Sequence, residues 1–371
     1  MLGAMRTQDV LVVGGGVIGC ATAFALARRG ARVALLERDA VGRHASSAAA
    51  GMLAPLAEST GKGPVFELGV RALDLLPELV EQVRERSGID PLLRRTGVLR
   101  PAAPAEAGEL RARVALLAAH GCRWLERSEL REREPRLVDG FDGALWSPLE
   151  AHVESALLTR GCAAAARAHG AELVEGAEVL ELHAEAGGAW RARTADASWS
   201  AGQVVLCTGA WAPALSGPLG AALPIEPVKG QMLALALPGA PLRSIVWGKG
   251  IYLVPRADGT LAVGATVEHA GFDPEPSAEG VAWLLASARE LLPPLGAAHF
   301  LRAWAGLRPG SPDGLPLVGP LPGAPGAWIA AGHHRNGVLL SALTAHAVAD
   351  WLLAGERWPE LDVLDPARFA R

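Results

Sequence analysis

The chain has 371 residues, of which 50% are hydrophobic and 20% are charged, and its formal net charge is −4. This length predicts two domains, and this composition is typical of a globular protein with a large core. Because acidic and basic residues are mixed along the chain and nearly cancel, nucleic acid and anionic membranes are not expected as its main partners.

The sequence carries no recognisable targeting or membrane signal. Met1–Gln8 contains one arginine and no apolar core, unlike a signal peptide, and no run of about 20 apolar residues predicts a membrane span. Cys20, Cys122, Cys162 and Cys207 form no CxxC pair and are expected to be buried free thiols. We therefore expect a cytoplasmic protein without a metal site, and a homo-oligomer is left open.

A strand–helix–strand unit is predicted within the first 40 residues. Val10–Val13 is a short apolar run typical of a buried parallel strand. Cys20–Arg29 is an alanine-rich helix that ends before Gly30, and Arg32–Glu37 is a second apolar strand that ends in an acid.

The remaining pattern predicts helices, two further buried strands, and a group of short strands separated by Pro and Gly turns that is typical of an antiparallel sheet. The helices are predicted at residues 64–87, 106–121, 155–169, 279–292 and 338–353. The buried strands are predicted at 203–206 and 328–331, and the antiparallel strands at 231–237, 250–255 and 260–265.

The glycine cluster Gly14–Gly19 matches the GxGxxG dinucleotide-binding pattern. It lies between the first strand and the first helix, and Glu37 follows Gly14 by 23 positions, close to the usual spacing. Gly14 permits the tight turn, Gly16 lets the backbone approach a pyrophosphate, and Gly19 lets helix and strand pack closely. Glu37 is expected to accept hydrogen bonds from the adenosine ribose and to repel a 2′-phosphate.

The position of this pattern favours FAD over NAD. It lies close to the N-terminus, and Rossmann-like fragments recur at residues 204–210 and 330–337, as a cofactor as long as FAD requires. The first of these fragments adds Thr208 and Gly209 to the expected cofactor contacts. A second GxGxxG after a strand is missing from the sequence, so we expect an organic substrate, and not NAD(P)H, to reduce the flavin.

Five motifs in the same order resemble the D-amino-acid-oxidase superfamily, and within it the glycine oxidases of thiamine thiazole biosynthesis. The resemblance covers nearly the whole chain. The motifs are SSAAAGML at 46–53, PVKGQ at 227–231, YLVPR at 252–256, WAGLRPG at 304–310 and GHHRNG at 332–337.

The resemblance and the element pattern together predict an α/β fold: a Rossmann-type, glutathione-reductase-like FAD-binding domain with an inserted α+β substrate domain built on an antiparallel sheet. The FAD-binding domain is predicted to be discontinuous and to comprise residues 1–84, 149–224 and 301–371. Residues 85–148 and 225–300 are predicted to form the substrate domain.

The resemblance also implies a set of non-covalent FAD contacts. It places the run from His333 to Leu339 around the isoalloxazine, with the N-terminus of the final helix directed at the flavin N1–C2=O edge. The sarcosine-oxidase branch has a flavin-bonding cysteine where this chain has Gly306. The implied contacts are Val17, Ile18, Glu37, Arg38, Ala45, Ser46, Ala50, Gly51, Met52, Val179, His333, His334, Arg335, Asn336, Gly337, Val338 and Leu339.

Arg308 matches the family arginine that binds the substrate carboxylate, and Tyr252 and Arg335 match accessory contacts. Independently, the Gly/Pro-rich surroundings of Arg308 predict a short loop that presents a bidentate guanidinium, and Tyr252 is the only tyrosine. A surface salt bridge for either arginine and a core position for Tyr252 stay open. Val267 and the segment 247–250 depart from the family pattern, which leaves the preferred substrate open.

The predicted reaction is the oxidation of glycine or another small amino acid by O2, giving an imine and H2O2, with the imine used in thiazole assembly. Binding through the carboxylate would orient Cα–H toward flavin N5, and no side-chain base is required, although His333 and His334 lie nearby. The alternatives are a D-amino acid, proline or sarcosine dehydrogenase or oxidase with another electron acceptor, and a non-enzymatic flavoprotein.

Overall fold

The computed structural model describes residues 5–58, 62–239 and 242–370. Within these ranges the chain forms two eight-stranded sheets and one two-stranded ribbon. The strands are β1 Arg6–Val13, β2 Val33–Leu36, β3 Met52–Leu53, β4 Val98–Ala102, β5 Arg123–Glu126, β6 Gly143–Ser147, β7 Ala151–His152, β8 Glu172–Val174, β9 Glu181–Ala184, β10 Trp190–Arg193, β11 Ser198–Leu206, β12 Glu226–Ala236, β13 Ile245–Gly248, β14 Ile251–Pro255, β15 Thr260–Gly264, β16 His299–Gly310, β17 Leu317–Pro320 and β18 Ala327–Ala331. The α-helices are α1 Val17–Arg28, α2 Ala45–Ala48, α3 Pro55–Glu58, α4 Pro64–Ser87, α5 Ala107–Leu117, α6 Arg127–Arg133, α7 Ser155–Ala168, α8 Ser216–Leu219, α9 Ala278–Leu291 and α10 Ser341–Ala354.

The first sheet has the order β17-β18-β11-β1-β2-β8, with β10 and β9 attached to β11. Strands β18, β11, β1, β2 and β8 are mutually parallel, so their carboxyl ends meet at one edge. Side chains alternate between the two faces of the sheet along β1, so this strand contributes to the hydrophobic core on each face. Val10 and Val12 join the core under helices α1, α4, α7 and α10, whereas Leu11 and Val13 join the core on the opposite face.

The second sheet has the order β16-β12-β15-β14-β13-β4-β6-β5 and is antiparallel except where β13 pairs with β4. Its two faces are also separated by the period-2 pattern. Along β14, Ile251 and Leu253 pack against helix α9, whereas Tyr252 and Val254 join a smaller cluster with Ala50 on the other face. That other face carries the substrate side chains described below.

Two observed elements differ from the predictions and affect the site. Strand β16 extends from His299 to Gly310 and pairs with β12, so the predicted boundary between residues 300 and 301 passes through a strand of the second sheet. The final helix begins at Ser341, three residues later than predicted, because His334–Asn336 form a 3-10 turn first. The division into two domains stays a prediction. In the described part of the chain, no helix is both long and apolar enough to cross a membrane.

Candidate active site

A cavity of about 260 Å³ lies where the parallel strands of the first sheet end. Val13, Leu36, Cys207 and Ala331 line it, each at or just beyond the carboxyl end of its strand. Ligands of open α/β sheets bind at this edge. This first cavity is therefore where the strand order predicts a dinucleotide.

The glycine turn before α1 has the close contacts that the fingerprint predicts. Gly14 has φ +106°, and a Cβ there would lie 2.4 Å from the Cys207 carbonyl oxygen. A Cβ on Gly19 would lie 1.9 Å from the Gly14 carbonyl oxygen, so only glycine lets α1 pack this closely on the turn. At the N-terminus of α1, the Val17 N–H donates to Ser46 Oγ at 2.8 Å.

Glu37 lies just beyond the end of β2 and is 6% exposed. Its Oε2 accepts a hydrogen bond from the Gly15 N–H at 2.6 Å, and its Oε1 accepts one from the Asp39 N–H at 2.9 Å. A carboxylate offers about four lone-pair sites, so acceptor capacity is left for ribose hydroxyls. Thr208 lines the same cavity, and its hydroxyl has no hydrogen-bond partner among the described residues. These groups fit the polar part of FAD.

Replacing Glu37 by alanine is expected to weaken FAD binding. The substitution removes a charged acceptor of ribose hydroxyls, a loss of roughly 1.5–3 kcal/mol, or about tenfold to a hundredfold in Kd. Titration of apoprotein with FAD, followed by flavin fluorescence, measures this. Glu172→Ala is the control, because Glu172 is the first residue of β8, which pairs with β2 in the same sheet, and it lines neither cavity. An unchanged FAD affinity of Glu37→Ala would show that this carboxylate does not hold the ribose.

The groups at the other end of the first cavity come from the segment before α10. The imidazole of His333 is buried and lies 3.0 Å from Thr344 Oγ1, and burial lowers its pKa to about 3. Burial, together with the charges of Arg308 and Arg335, lowers the pKa of His334 to about 4. Both rings are therefore neutral at pH 7. The residues that line the cavity here precede α10, which corrects the prediction that the helix itself starts at the cavity.

A second cavity of about 80 Å³ adjoins the first. Ala45, Ala49, His334, Arg335 and Val338 line both cavities, so the two are in direct contact. The second cavity is also lined by the three side chains predicted to bind substrate. Those side chains are Arg308, Tyr252 and Arg335.

Arg308 lies on strand β16 and not on the predicted loop. Pairing with β12 sets Arg308 opposite Val228, and its guanidinium passes over Gly230, where a Cβ would lie 2.2 Å from Nη2. The Nη1 group donates to the Thr266 carbonyl at 3.1 Å. Burial lowers the pKa of Arg308, an effect that Tyr252 opposes and Arg335 reinforces. Because a guanidinium is not deprotonated in proteins near neutral pH, the group stays charged despite this lowering.

Tyr252 lies on the same face of the second sheet and is 8% exposed. Its hydroxyl donates to Met232 Sδ at 3.4 Å, and its ring meets the Trp247 ring edge-on at a centroid distance of 6.3 Å. Trp247 also stacks against the Arg335 guanidinium, 5.4 Å from the ring centroid. One of the segments that depart from the family pattern therefore lies beside the cavity, whereas Val267 is 57% exposed and lines neither cavity.

Arg335 forms an ion pair with Glu58, the last residue of α3. Both side chains are only partly exposed, and both line the second cavity. Sequence reasoning missed Glu58, which is a single acid in a segment without any motif. It also missed Gly230, although this glycine lies within the quoted motif PVKGQ, because only the paired strand shows that an arginine must pass over it.

The structure brings most of the predicted cofactor residues to the two cavities. Gly19, Asn336 and Leu339 line neither: Gly19 packs inside α1, and Leu339 lies in the core. The predicted residues in the first cavity are Gly14, Gly16, Val17, Ile18, Glu37, Arg38, Ala45, Ser46, Val179, Thr208, Gly209, His333, His334, Arg335, Gly337 and Val338. Ala50, Gly51 and Met52 line the second cavity.

The described residues include a cluster of Glu37, Asp39 and His44 whose ligand-type atoms lie within 4.8 Å of one another. Glu37 already accepts two backbone hydrogen bonds, and Asp39 pairs with both Arg38 and His44. Because each of these groups already has a hydrogen-bond or ion-pair partner, we continue to predict no metal at this position.

FAD is expected to leave the protein on denaturation by acid or heat. Gly306 lines the second cavity, and a Cβ there would lie 2.5 Å from Ala48 Cβ, so this position has no room for a bonding side chain. All four cysteines lie in the described part and are buried, none lines the second cavity, and burial raises the pKa of Cys207 to about 12. Absorbance of the protein-free supernatant at the flavin maximum measures the release. Flavin retained by the precipitated chain would show a covalent bond.

Comparison with known proteins agrees with this architecture. Residues 9–351 match the DAO family, whose description is FAD dependent oxidoreductase. A glycine oxidase of Geobacillus kaustophilus is 39% identical over 347 residues, which are 92% of each chain. The bifunctional protein ThiO/ThiG of a Synechocystis species is 35% identical over 370 residues, which are 98% of this chain and 54% of that protein.

The fold agrees as closely as the sequence. The crystal structure of glycine oxidase from Geobacillus kaustophilus superimposes with a TM-score of 0.94 at 37% identity, over 98% of this chain and 99% of that one. This confirms the predicted α/β fold class. The family match covers more than half of the residues and explains why the first cavity has the features of an FAD site. The chain belongs to the DAO family of FAD-dependent oxidoreductases.

Proposed function

We propose that the protein oxidises glycine or another small amino acid to its imine, with O2 as the electron acceptor and H2O2 as the second product. The single observation that carries this proposal is the second cavity, in which the partly buried Arg308 guanidinium faces a small space beside the FAD site. A cavity of about 80 Å³ suits a ligand of few heavy atoms. The similarity to glycine oxidases supports the same substrate class.

The residues of the second cavity can bind the substrate carboxylate and orient the substrate. Arg308 can hold a carboxylate by two parallel hydrogen bonds, because its guanidinium is fixed by the Thr266 carbonyl and by the strand below it. Tyr252 and Arg335 line the same cavity and can add contacts to the carboxylate. Fixing the carboxylate also fixes the direction of the Cα–H bond, and such orientation supplies much of the rate enhancement in reactions of this kind.

FAD held in the first cavity would supply the acceptor for a substrate hydride and the connection to O2 as the final electron acceptor. If the substrate amine is neutral, no side chain of the protein has to remove a proton in this step. The arrangement before α10 supports this, because burial lowers the pKa values of His333 and His334, which line the first cavity there, to about 3 and 4, so both rings are weak bases. As the hydride leaves, the substrate becomes a positively charged imine. A positively charged imidazole nearby would repel it, so neutral imidazoles favour product formation.

The decisive experiment is anaerobic mixing of the holoenzyme with glycine, sarcosine, D-alanine and D-proline, followed by the loss of flavin absorbance. We expect fast bleaching by at least one small amino acid, and stoichiometric H2O2 once air is admitted. Bleaching without H2O2 would favour the alternative function, a dehydrogenase that uses another electron acceptor. A flavin that none of these substrates reduces would contradict the proposal.

The fate of the imine is proposed from the similarity to the ThiO/ThiG protein alone. We propose that it supplies the thiazole branch of thiamine synthesis. The cytoplasmic location stays a prediction from the sequence, and a homo-oligomer stays open.

A further inference from the structure

We propose that Glu58 determines substrate specificity: by pairing with Arg335 it restricts the second cavity to amino acids that carry one carboxylate. The inference rests on the proposed amino acid oxidation. It concerns the charge that the site accepts, and neither the family match nor the relatives assign a role to this residue.

The charge balance of the second cavity supports this assignment. Among the described residues that line it, the charged side chains are Arg308, Arg335 and Glu58. His334 also lines the cavity but is neutral at pH 7, because burial and the two arginines lower its pKa to about 4. Two guanidinium groups and one carboxylate leave a single net positive charge, which matches one substrate carboxylate and leaves a second one without a partner.

The partial burial of the ion pair between Glu58 and Arg335 strengthens its influence on the charge that the second cavity accepts. The side chains are 30% and 25% exposed, so solvent screens the pair less than it screens a surface salt bridge. A second carboxylate near Arg335 would have to displace Glu58 or lie beside its negative charge. Either event costs binding energy that an uncharged side chain would not cost.

Hydrogen bonds at both ends of helix α3 hold Glu58 at this position. At its start, Glu150 Oε1 accepts hydrogen bonds from the Leu56 and Ala57 N–H groups at 2.7 and 2.8 Å. At its end, Arg100 and Arg113 both donate to the Ala57 carbonyl, at 2.9 and 3.0 Å. Contacts of this kind satisfy the free backbone groups at both ends of a helix. They stabilise α3, which is only one turn long.

The test compares pairs of ligands that differ by one carboxylate. Acetate and malonate are not oxidised, and their binding to the holoenzyme is followed by the shift of the flavin absorption bands. D-Alanine and D-aspartate provide the corresponding pair for kcat/KM. We expect wild type to prefer acetate and D-alanine. In Glu58→Gln, which keeps the shape but removes the charge, we expect both ratios to shift toward the dicarboxylate by about tenfold or more.

Two variants separate charge from shape and from general damage. Glu58→Asp keeps the charge and should keep the wild-type preference. Glu154→Gln is the matched control, because Glu154 pairs with the largely buried Arg256 at 3.1 Å but lines neither cavity, and its ratios should stay at the wild-type values. Equal ratios in Glu58→Gln and wild type, or an equal shift in Glu58→Asp, would overturn the inference.

The outcomes also separate this inference from the proposed function. A holoenzyme that oxidises none of the amines but still shows the shift between acetate and malonate would retain the charge selection and lose the amino acid oxidation. A holoenzyme that oxidises D-alanine but shows no shift in either ratio would support the amino acid oxidation and contradict the charge selection by Glu58. If Glu58→Gln fails to fold, wild type alone decides, because tighter binding of malonate than of acetate contradicts a site with one net positive charge.

Discussion

Arg308→Ala is expected to lower kcat/KM for the amino acid by at least about a hundredfold, or roughly 3 kcal/mol, while FAD stays bound. A small zwitterion offers few atoms for binding, so its carboxylate must provide much of the binding energy. Arg308 is a partly buried cation that lines the second cavity from strand β16, and it does not line the first cavity. Because the same contact orients Cα–H, the loss should exceed what uniform weakening of binding would give. The rate of flavin reduction against substrate concentration measures both parts.

Two further variants show whether the guanidinium itself is required. Arg308→Lys keeps the charge but cannot form two parallel hydrogen bonds, so it should recover only part of the loss. Arg302→Ala is the control, because Arg302 lies exposed on the same strand and lines neither cavity. If Arg308→Ala reduces its flavin as fast as wild type at low substrate, the anchor lies elsewhere, and Arg335 becomes the first candidate.

Glu150→Gln is expected to make the protein more resistant to heat at alkaline pH than wild type. Glu150 is fully buried, and burial raises its pKa from 4.5 to about 8. The folded state therefore holds this proton more tightly than the unfolded chain does. As pH rises from 4.5 to 8, the unfolded chain loses the proton first, and wild type loses stability at about 1.4 kcal/mol per pH unit, on the order of 5 kcal/mol in all.

Glutamine keeps the carbonyl oxygen that accepts from Leu56 and Ala57 but has no proton to lose. The difference in Tm between Glu150→Gln and wild type should therefore grow by several degrees from pH 5 to pH 8.5, as measured by calorimetry. Glu134 is a useful second case, because burial also raises its pKa and it likewise accepts two backbone hydrogen bonds, far along the chain from α3. Glu134→Gln should show a change of the same sign. A difference in Tm that is constant across this pH range would mean that Glu150 ionises normally.

The sequence predicted the FAD-binding unit well because that unit depends on local signals. A glycine turn between an apolar strand and an alanine-rich helix permits few alternatives, and the structure places Gly14, Gly16 and Glu37 at one cavity. The local errors were in the element boundaries: β1 begins at Arg6 instead of Val10, and α1 begins at Val17 instead of Cys20. In contrast, the strands of residues 85–148 were not predicted. Strand β5, for example, buries only Leu125 of its four residues, which leaves no periodic pattern to detect.

Strand β16 shows why the environment of Arg308 could not be predicted. Its last residues, GLRPG, have the composition of a turn, yet they continue a strand because β12 supplies a partner along the whole length. Pro309 lies opposite Pro227 at the sheet edge, where a missing N–H costs little. The pair between Glu58 and Arg335 depends on contacts 277 positions apart in the chain, and no single-chain pattern contains that information.

The pairing of β16 with β12 also limits how the chain can change in length. The register is continuous from Gly310 back to Arg302 and shifts once, between Ala234 and Leu235 of β12. One inserted residue beyond that irregularity, near His299, would add to a bulge that already exists. One inserted residue between Arg302 and Arg308 would turn every following side chain to the opposite face and point the guanidinium away from Gly230. Gene variants with insertions or deletions should therefore survive at one end of this strand and lose substrate binding at the other.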